Sequence, residues 1–190
     1  MTLRLYGVVR ARHPRVPRRV CWEDLAMVVE DDAGGGDADP AAHLSTISAL
    51  VEHGPVLPVR FGTVADDEHA VRTDVLAPSA ERFRADLDRL DGLAEVHVCL
   101  RFTGDPAWRP AGSNGLLAPV SDLARDVVRL TPGEHADERW ALLVGLGDLP
   151  VFRATVAAVD ADPDVHAECV GPLPAYSFLD RRDAGSRWGF

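Results

Sequence analysis

Nine consecutive residues, Val56-Leu57-Pro58-Val59-Arg60-Phe61-Gly62-Thr63-Val64, constrain the folding of this chain more than any other stretch. Their apolar content reads as a strand, yet the run holds a proline, an arginine and a glycine. Pro58 has no N–H to give to a ladder, so the strand is expected at a sheet edge or at a bulge. Gly62 permits a bend or the close approach of another segment. Alternation puts Arg60 opposite Val59 and Phe61. If that face is covered, its guanidinium needs a partner, because an unpaired buried charge is costly. A structural ion pair meets that need, and so does contact with an anion or a partner. The segment reads as shaped backbone, not as a catalytic device.

The elements around it follow from periodicity and punctuation. Leu3 to Arg10 reads as a strand, Arg12 to Arg19 as a loop, and Leu25 to Glu30 as a second strand. Asp31 to Asp39, with three glycines, reads as a turn. A helix opens after the Asp39 cap with Pro40 in its first turn and an apolar face of Leu44, Ile47, Leu50 and Val51, and Gly54-Pro55 stops it. A second helix is expected from about Ser79 to Asp91, and a half-buried strand carries Val96, Val98, Leu100 and Phe102. Gly, Pro and Asn114-Gly115 between Thr103 and Ala118 suggest a domain boundary. Beyond it the spacing of Leu123, Val127 and Leu130 predicts a helix from about Ser121. A strand from Trp140 to Gly145, a helix capped by Asp148, a strand from Val165 to Val170 and an extended proline-rich tail follow. The chain is thus expected to be α+β in two domains. Residues 1–104 form a sandwich with helices on one face, and residues 105–190 form a smaller α+β domain ending in the tail.

Composition excludes several functions. A net charge of −10 gives no electropositive footprint for nucleic acid. Its local exception is Arg10, Arg12, Arg15, Arg18 and Arg19, a solvated loop or a docking patch for an acidic partner. All 20 basic residues are arginine, so a lysine Schiff base and a Walker-type phosphate site are both excluded. Cys21, Cys99 and Cys169 are too scattered for a disulfide framework or a zinc site and are expected as buried free thiols. No apolar run approaches the roughly 20 residues of a membrane span, and no signal peptide is evident, so the chain is expected inside the cell.

The remaining motifs fail as chemistry. Gly145-Leu146-Gly147-Asp148-Leu149-Pro150 has a ring where a dinucleotide fold needs its third glycine, and reads as a turn and helix cap. His166-Ala167-Glu168 lacks the downstream cysteines of a zinc deaminase. Gly112-Ser113-Asn114-Gly115 is not a nucleophile elbow, and Asp66-Asp67-Glu68 reads as a solvated helix start. His43, on the helix ahead of the opening motif, is expected as a hydrogen-bonded structural histidine. No catalytic, cofactor-binding or metal-ligating set emerges.

Two separated motifs do carry a resemblance. His43 on a helix, followed by the 56–64 stretch, resembles the gas vesicle protein GvpF/GvpL family, in which such a histidine leads into a "PlrFGT"-like strand. Gly171-Pro172-Leu173-Pro174-Ala175-Tyr176-Ser177-Phe178 resembles that family's "GPWPPYSF" ending, with Leu173 and Ala175 as departures. Leu5 to Val9 is similar to its opening strand, and Leu90, Gly92, Glu95 and Val98 to its "L.g..E..V.v" segment. The stretch from Asp105 to Arg139 is much shorter than the family's helical insert.

The resemblance implies a modified ferredoxin-like N-terminal domain and an accessory, non-enzymatic role in gas vesicle assembly in the cytoplasm. It implies binding to the shell protein GvpA and to other accessory gas vesicle proteins, without cofactor, nucleic acid or membrane. The family-motif or partner-contact candidates are His43, Pro58, Arg60, Phe61, Gly62, Thr63, Gly171, Pro172, Pro174, Tyr176 and Phe178. Tyr176 and Phe178 are expected as apolar anchors of the tail. The alternative is a ferredoxin-like regulatory module that binds a small anionic ligand through Arg60.

Overall fold

The computed structural model describes residues 2–16, 18–32, 39–103 and 114–179. They fall into two units. One holds the described residues up to Asp91 together with those from Pro174 onward, and the other runs Gly92–Leu173. This division differs from the boundary expected after residue 104, because the strand that ends the first hundred residues pairs only with strands that follow it.

In the first unit, β1 (Leu3–Arg10) is paired on both sides. The antiparallel sheet runs β2 (Arg19–Trp22), β3 (Leu25–Asp31), β1, β4 (Leu57–Pro58), and β5 (Val64–Ala65) also pairs with β1. A bulge interrupts the β1–β3 ladder between Leu5 and Gly7. Leu5 to Val9 and Leu25 to Val29 are buried at consecutive positions. Successive strand residues point to opposite faces, so both faces of this sheet are covered, not one as the sequence suggests.

Helix α1 (Pro40–Val51) starts as its sequence dictates. The Asp39 carboxylate accepts from the Ala41 N–H at 2.9 Å, and Pro40 occupies the first turn, where its missing donor costs nothing. Its buried face is His43, Ile47, Leu50 and Val51, while Leu44 is exposed. The imidazole therefore takes the buried place expected for Leu44.

The second helical stretch begins at the solvated helix start read at Asp66-Asp67-Glu68, ahead of the helix expected from about Ser79. Asp67 accepts from the Ala70 N–H at 2.8 Å and opens α2 (Glu68–Ala70), which continues through a π-helical segment, Val71–Leu76, into α3 (Ala77–Arg89). A proline within a continuous helix loses one hydrogen bond and crowds the carbonyl four residues back. The wider turn just ahead of Pro78 accommodates it.

The second unit contains β6 (Leu93–Phe102), α4 (Asn114–Ser121), β7 (Ala124–Leu130), β8 (Glu138–Gly145), α5 (Leu149–Asp160) and β9 (Val165–Leu173), with strand order β7-β8-β6-β9. Every pairing is antiparallel. A β-α-β-β-α-β chain in this order is the ferredoxin-like arrangement. The core under α4 and α5 includes Val96, Val98, Leu100, Val120, Leu142, Val144, Phe152 and Val156.

Two further expectations change. Residues 124–130 form a strand, not a helix. Leu123, Val127 and Leu130 fit a helical stripe, but Val127-Val128 is a β-branched pair and the segment gains a full ladder with β8. Val165–Val170 continues to Leu173, which pairs with Glu95, so the start of the expected tail is strand. Gly171 has φ +144°, and a Cβ there would meet the Glu95 carbonyl oxygen at 3.0 Å. The Gly171–Pro172 peptide is cis.

Candidate functional site

The opening motif is not one strand but two very short ones joined by a turn. Pro58 lies opposite Gly7 on β4, and Val64 lies opposite Arg4 on β5. Between them, the Val59 N–H donates to the Tyr6 carbonyl at 2.9 Å, and the Leu5 N–H donates to the Thr63 carbonyl at 3.0 Å. Both the N–H and the hydroxyl of Thr63 donate to the Arg60 carbonyl, at 3.2 and 2.7 Å, which closes the 60–63 turn. Gly62 sits in that turn at φ +83°, a conformation that disfavours a side chain. Gly7 is required opposite: a Cβ there would meet the Leu57 carbonyl oxygen at 2.8 Å and Val56 Cγ1 at 2.9 Å.

His43 is 4 % exposed and wedged between rings. Tyr6 stacks on it at 4.8 Å between centroids, and Phe61 meets it edge-on at 5.4 Å. Neither ring nitrogen completes a hydrogen bond, contrary to the expected hydrogen-bonded histidine. Burial pushes the imidazole below its ordinary pKa. The Val59 backbone, outside hydrogen-bonding geometry, opposes this, and the Arg4 charge adds to it. The Tyr6 hydroxyl donates to Glu30 Oε2 at 2.5 Å, and Arg4 Nη2 donates to Asp32 Oδ1 at 3.0 Å.

Phe61 is 37 % exposed and Val64 41 %, and Leu44, next to His43 on α1, is 40 %. Arg60 is exposed on the turn and has no ion pair among the described residues. It is therefore not a buried charge, and the argument that it needs a partner does not apply.

The second motif is placed differently. Gly171 and Pro172 belong to β9, and the Gly171 carbonyl accepts from Arg153 Nη2 at 2.8 Å. Pro174, Ala175 and Phe178 are buried in the first unit, with Tyr176–Phe178 forming one 3₁₀ turn. The Phe178 carbonyl accepts from Arg89 Nη2 at 2.9 Å. Of the two expected anchors, Phe178 is buried and Tyr176 is 38 % exposed. The two motifs build separate places.

Most of the arginine cluster is committed internally. Arg10 pairs with Asp24 at 2.6 Å and also with Asp88, Arg18 pairs with Asp31, and Arg19 donates to the Ala11 and His13 carbonyls. Arg84 joins the set through Asp24 and Glu23, and its hydrogen bond holds the Asp24 carboxyl below the usual range. His13, also buried, donates from Nε2 to the Leu50 carbonyl at 3.2 Å and accepts from the Arg15 N–H, and burial lowers its pKa.

Sequence reading missed one buried polar group in the second unit. Glu95 is 1 % exposed, takes the Nε2–H of His97 at 2.5 Å, and His97 Nδ1 accepts from Arg139 at 2.9 Å. Strand alternation put Glu95 on the solvent face. Both nitrogens of His97 are engaged, so it has no free lone pair for a substrate proton. Burial pushes the thiols of Cys99 and Cys169 up, away from the thiolate a nucleophile needs. Against the expectation of buried thiols, Cys21 is exposed and Cys99 and Cys169 are half-buried, and all three cysteines are free. Among the described residues no group of three or more His, Cys, Asp or Glu is arranged to hold a metal ion.

Solved gas vesicle proteins have this fold. The crystal structure of GvpF from Anabaena sp. PCC7120 matches with a TM-score of 0.73 over 94 % of this chain and 98 % of that one, at 18 % identity. That of GvpF from Microcystis aeruginosa matches with a TM-score of 0.74 over 93 % and 98 %, at 16 % identity. The sequence profile described as "Gas vesicle synthesis protein GvpL/GvpF" matches residues 5–112 and 106–180, and the chain belongs to this family. Its role is accordingly a gas vesicle-related one.

A curated relative, the molybdenum import ATP-binding protein ModC of Pseudomonas aeruginosa, is 32 % identical over 146 residues, 67 % of this chain. This chain spans only 38 % of that protein's length. With no lysine anywhere, it carries no Walker-type phosphate loop. No helix among the described residues is long and apolar enough to cross a membrane.

Proposed function

We propose that this chain is a non-enzymatic accessory protein of gas vesicle assembly in the cytoplasm, which binds the shell protein GvpA and assists nucleation or growth of the shell. One observation carries the reading. The segment with the strongest family likeness exposes two large apolar side chains, Phe61 and Val64, and Phe61 packs on a buried aromatic cluster with Tyr6 and His43. An apolar shell subunit gains by covering such side chains, at roughly 25 cal/mol per Å² of apolar surface removed from water.

Docking proceeds through side chains and not by strand addition. The sheet edge here is blunted by Pro58, which has no N–H to offer, and by the 60–63 turn. The test is co-purification with GvpA. Phe61→Asp combined with Val64→Asp, with the fold checked by circular dichroism because Phe61 also packs on His43, is expected to cut GvpA recovery at least tenfold. Equal recovery by the doubly substituted chain overturns the assignment of these side chains.

A further inference from the structure

The environment of His43 contains a conflict that the docking role does not use. The imidazole is buried between Tyr6 and Phe61 with both nitrogens unpartnered. Buried polar groups are ordinarily hydrogen-bonded, and a buried cation is far more costly than a neutral ring.

Among the described residues the Val59 backbone faces His43 outside hydrogen-bonding geometry, and no neighbouring element offers a protonated His43 an unengaged acceptor side chain. From β1 come Arg4, which repels it, and Tyr6, whose hydroxyl is given to Glu30 of β3. Asp32, following β3, is taken by Arg4. The 60–63 turn contributes another cation, Arg60. Residues 40–51 of α1 contain no other ionisable side chain.

Of the neighbours touching the ring, Phe61 is the one free to give way. Tyr6 belongs to the central strand and is 8 % exposed, whereas Phe61 is 37 % exposed on a four-residue turn. That turn is held to β1 through the Leu5 N–H bond to the Thr63 carbonyl.

We infer that His43 is an acid-sensitive latch: uptake of a proton by its imidazole unseats Phe61 and releases the 60–63 turn from β1. With His43 neutral, the turn is closed and Phe61 stands at the surface. With His43 protonated, the ring needs water, and the opening that reaches water displaces Phe61. The device belongs to the isolated chain and does not depend on which partner docks there.

The sign follows from proton binding. The open state titrates near the ordinary imidazole value of about 6.5 and the closed state below it, so acid favours opening. Between pH 7.5 and 5.5 the local opening constant is expected to rise, by at most about tenfold, because the open state binds up to one more proton.

The experiment is amide hydrogen exchange on the full chain at these two pH values, corrected for intrinsic chemical exchange and read at Leu5, whose N–H bonds the Thr63 carbonyl. The expected result is a larger opening constant for the Leu5 amide at pH 5.5, by at most about tenfold, with amides of β8 unchanged. The rise should be absent in His43→Phe, which keeps the aromatic packing without the titrating group. If His43→Phe does not fold, titration of the His43 ring by NMR in the native chain decides. A ring that titrates at or above the ordinary value, or a pH-insensitive Phe61 environment, overturns the latch. So does an equal rise in His43→Phe, or a uniform rise across β8, which would mark global unfolding.

Discussion

Single residues explain why the two motifs have the composition they do. Gly7 is the clearest case, because its missing side chain is what lets Leu57 approach β1. Gly7→Ala is expected to destabilise the chain by about 1–3 kcal/mol through overpacking, visible as a lower urea midpoint at unchanged slope. His13 and His43 both have their pKa lowered by burial. The unfolded chain therefore binds more protons than the folded one below the ordinary imidazole value of about 6.5. Stability is full above that pH and declines as pH falls from it toward the folded values. Urea unfolding at pH 7.5, 6.5 and 5.5 should show this decline, and replacing both histidines with non-titrating residues should flatten it. Arg60 teaches the opposite lesson: its place in an apolar run implies a buried charge, but the turn carries it into water.

At the scale of elements, local signals gave correct ends wherever capping chemistry was present. Asp39 and Pro40 locate the start of α1, and Asp39→Ala is expected to cost about 1 kcal/mol, measured by thermal or urea denaturation. Asp148 stands at the start of α5 without a side-chain capping bond, so its place was legible and its bond was not. Periodicity misled where a segment satisfies two periods. Residues 124–130 carry a helical stripe and a β-branched pair, and the outcome is set by β8, a strand with a buried centre at Ala141 to Val144 awaiting a partner. Residues 56–64 misled for a different reason. Their apolar run signals a strand, but Pro58 and Gly62 divide it into two pieces of two residues each, and the piece between them forms the candidate site.

Across the whole molecule, the strand edges are guarded. On β2 the Cys21 carbonyl is taken by Arg72 Nε at 3.2 Å. On β7 the Val127 N–H is taken by Asp126 at 2.8 Å, and on β9 the Ala167 N–H is taken by Asp160 at 2.8 Å. Pro58 and the 60–63 turn interrupt the β4–β5 edge. Exposed edges template pairing with other chains, a hazard for any protein that handles assembly-prone subunits. Asp160→Ala combined with Asp126→Ala is expected to increase self-association on heating, followed by light scattering, while leaving GvpA recovery unchanged.

The chain's own order of residues was enough to establish an α+β protein with no lysine for Schiff-base or Walker-type chemistry, and to mark the two stretches that identify its family. Those are properties of composition, local periodicity and short motifs. Strand pairing, the burial of Glu95 and the aromatic cage around His43 were out of reach of that order. Each depends on contacts between residues distant in sequence, where a ladder of backbone hydrogen bonds and the burial of both sheet faces outweigh the preference of any single segment.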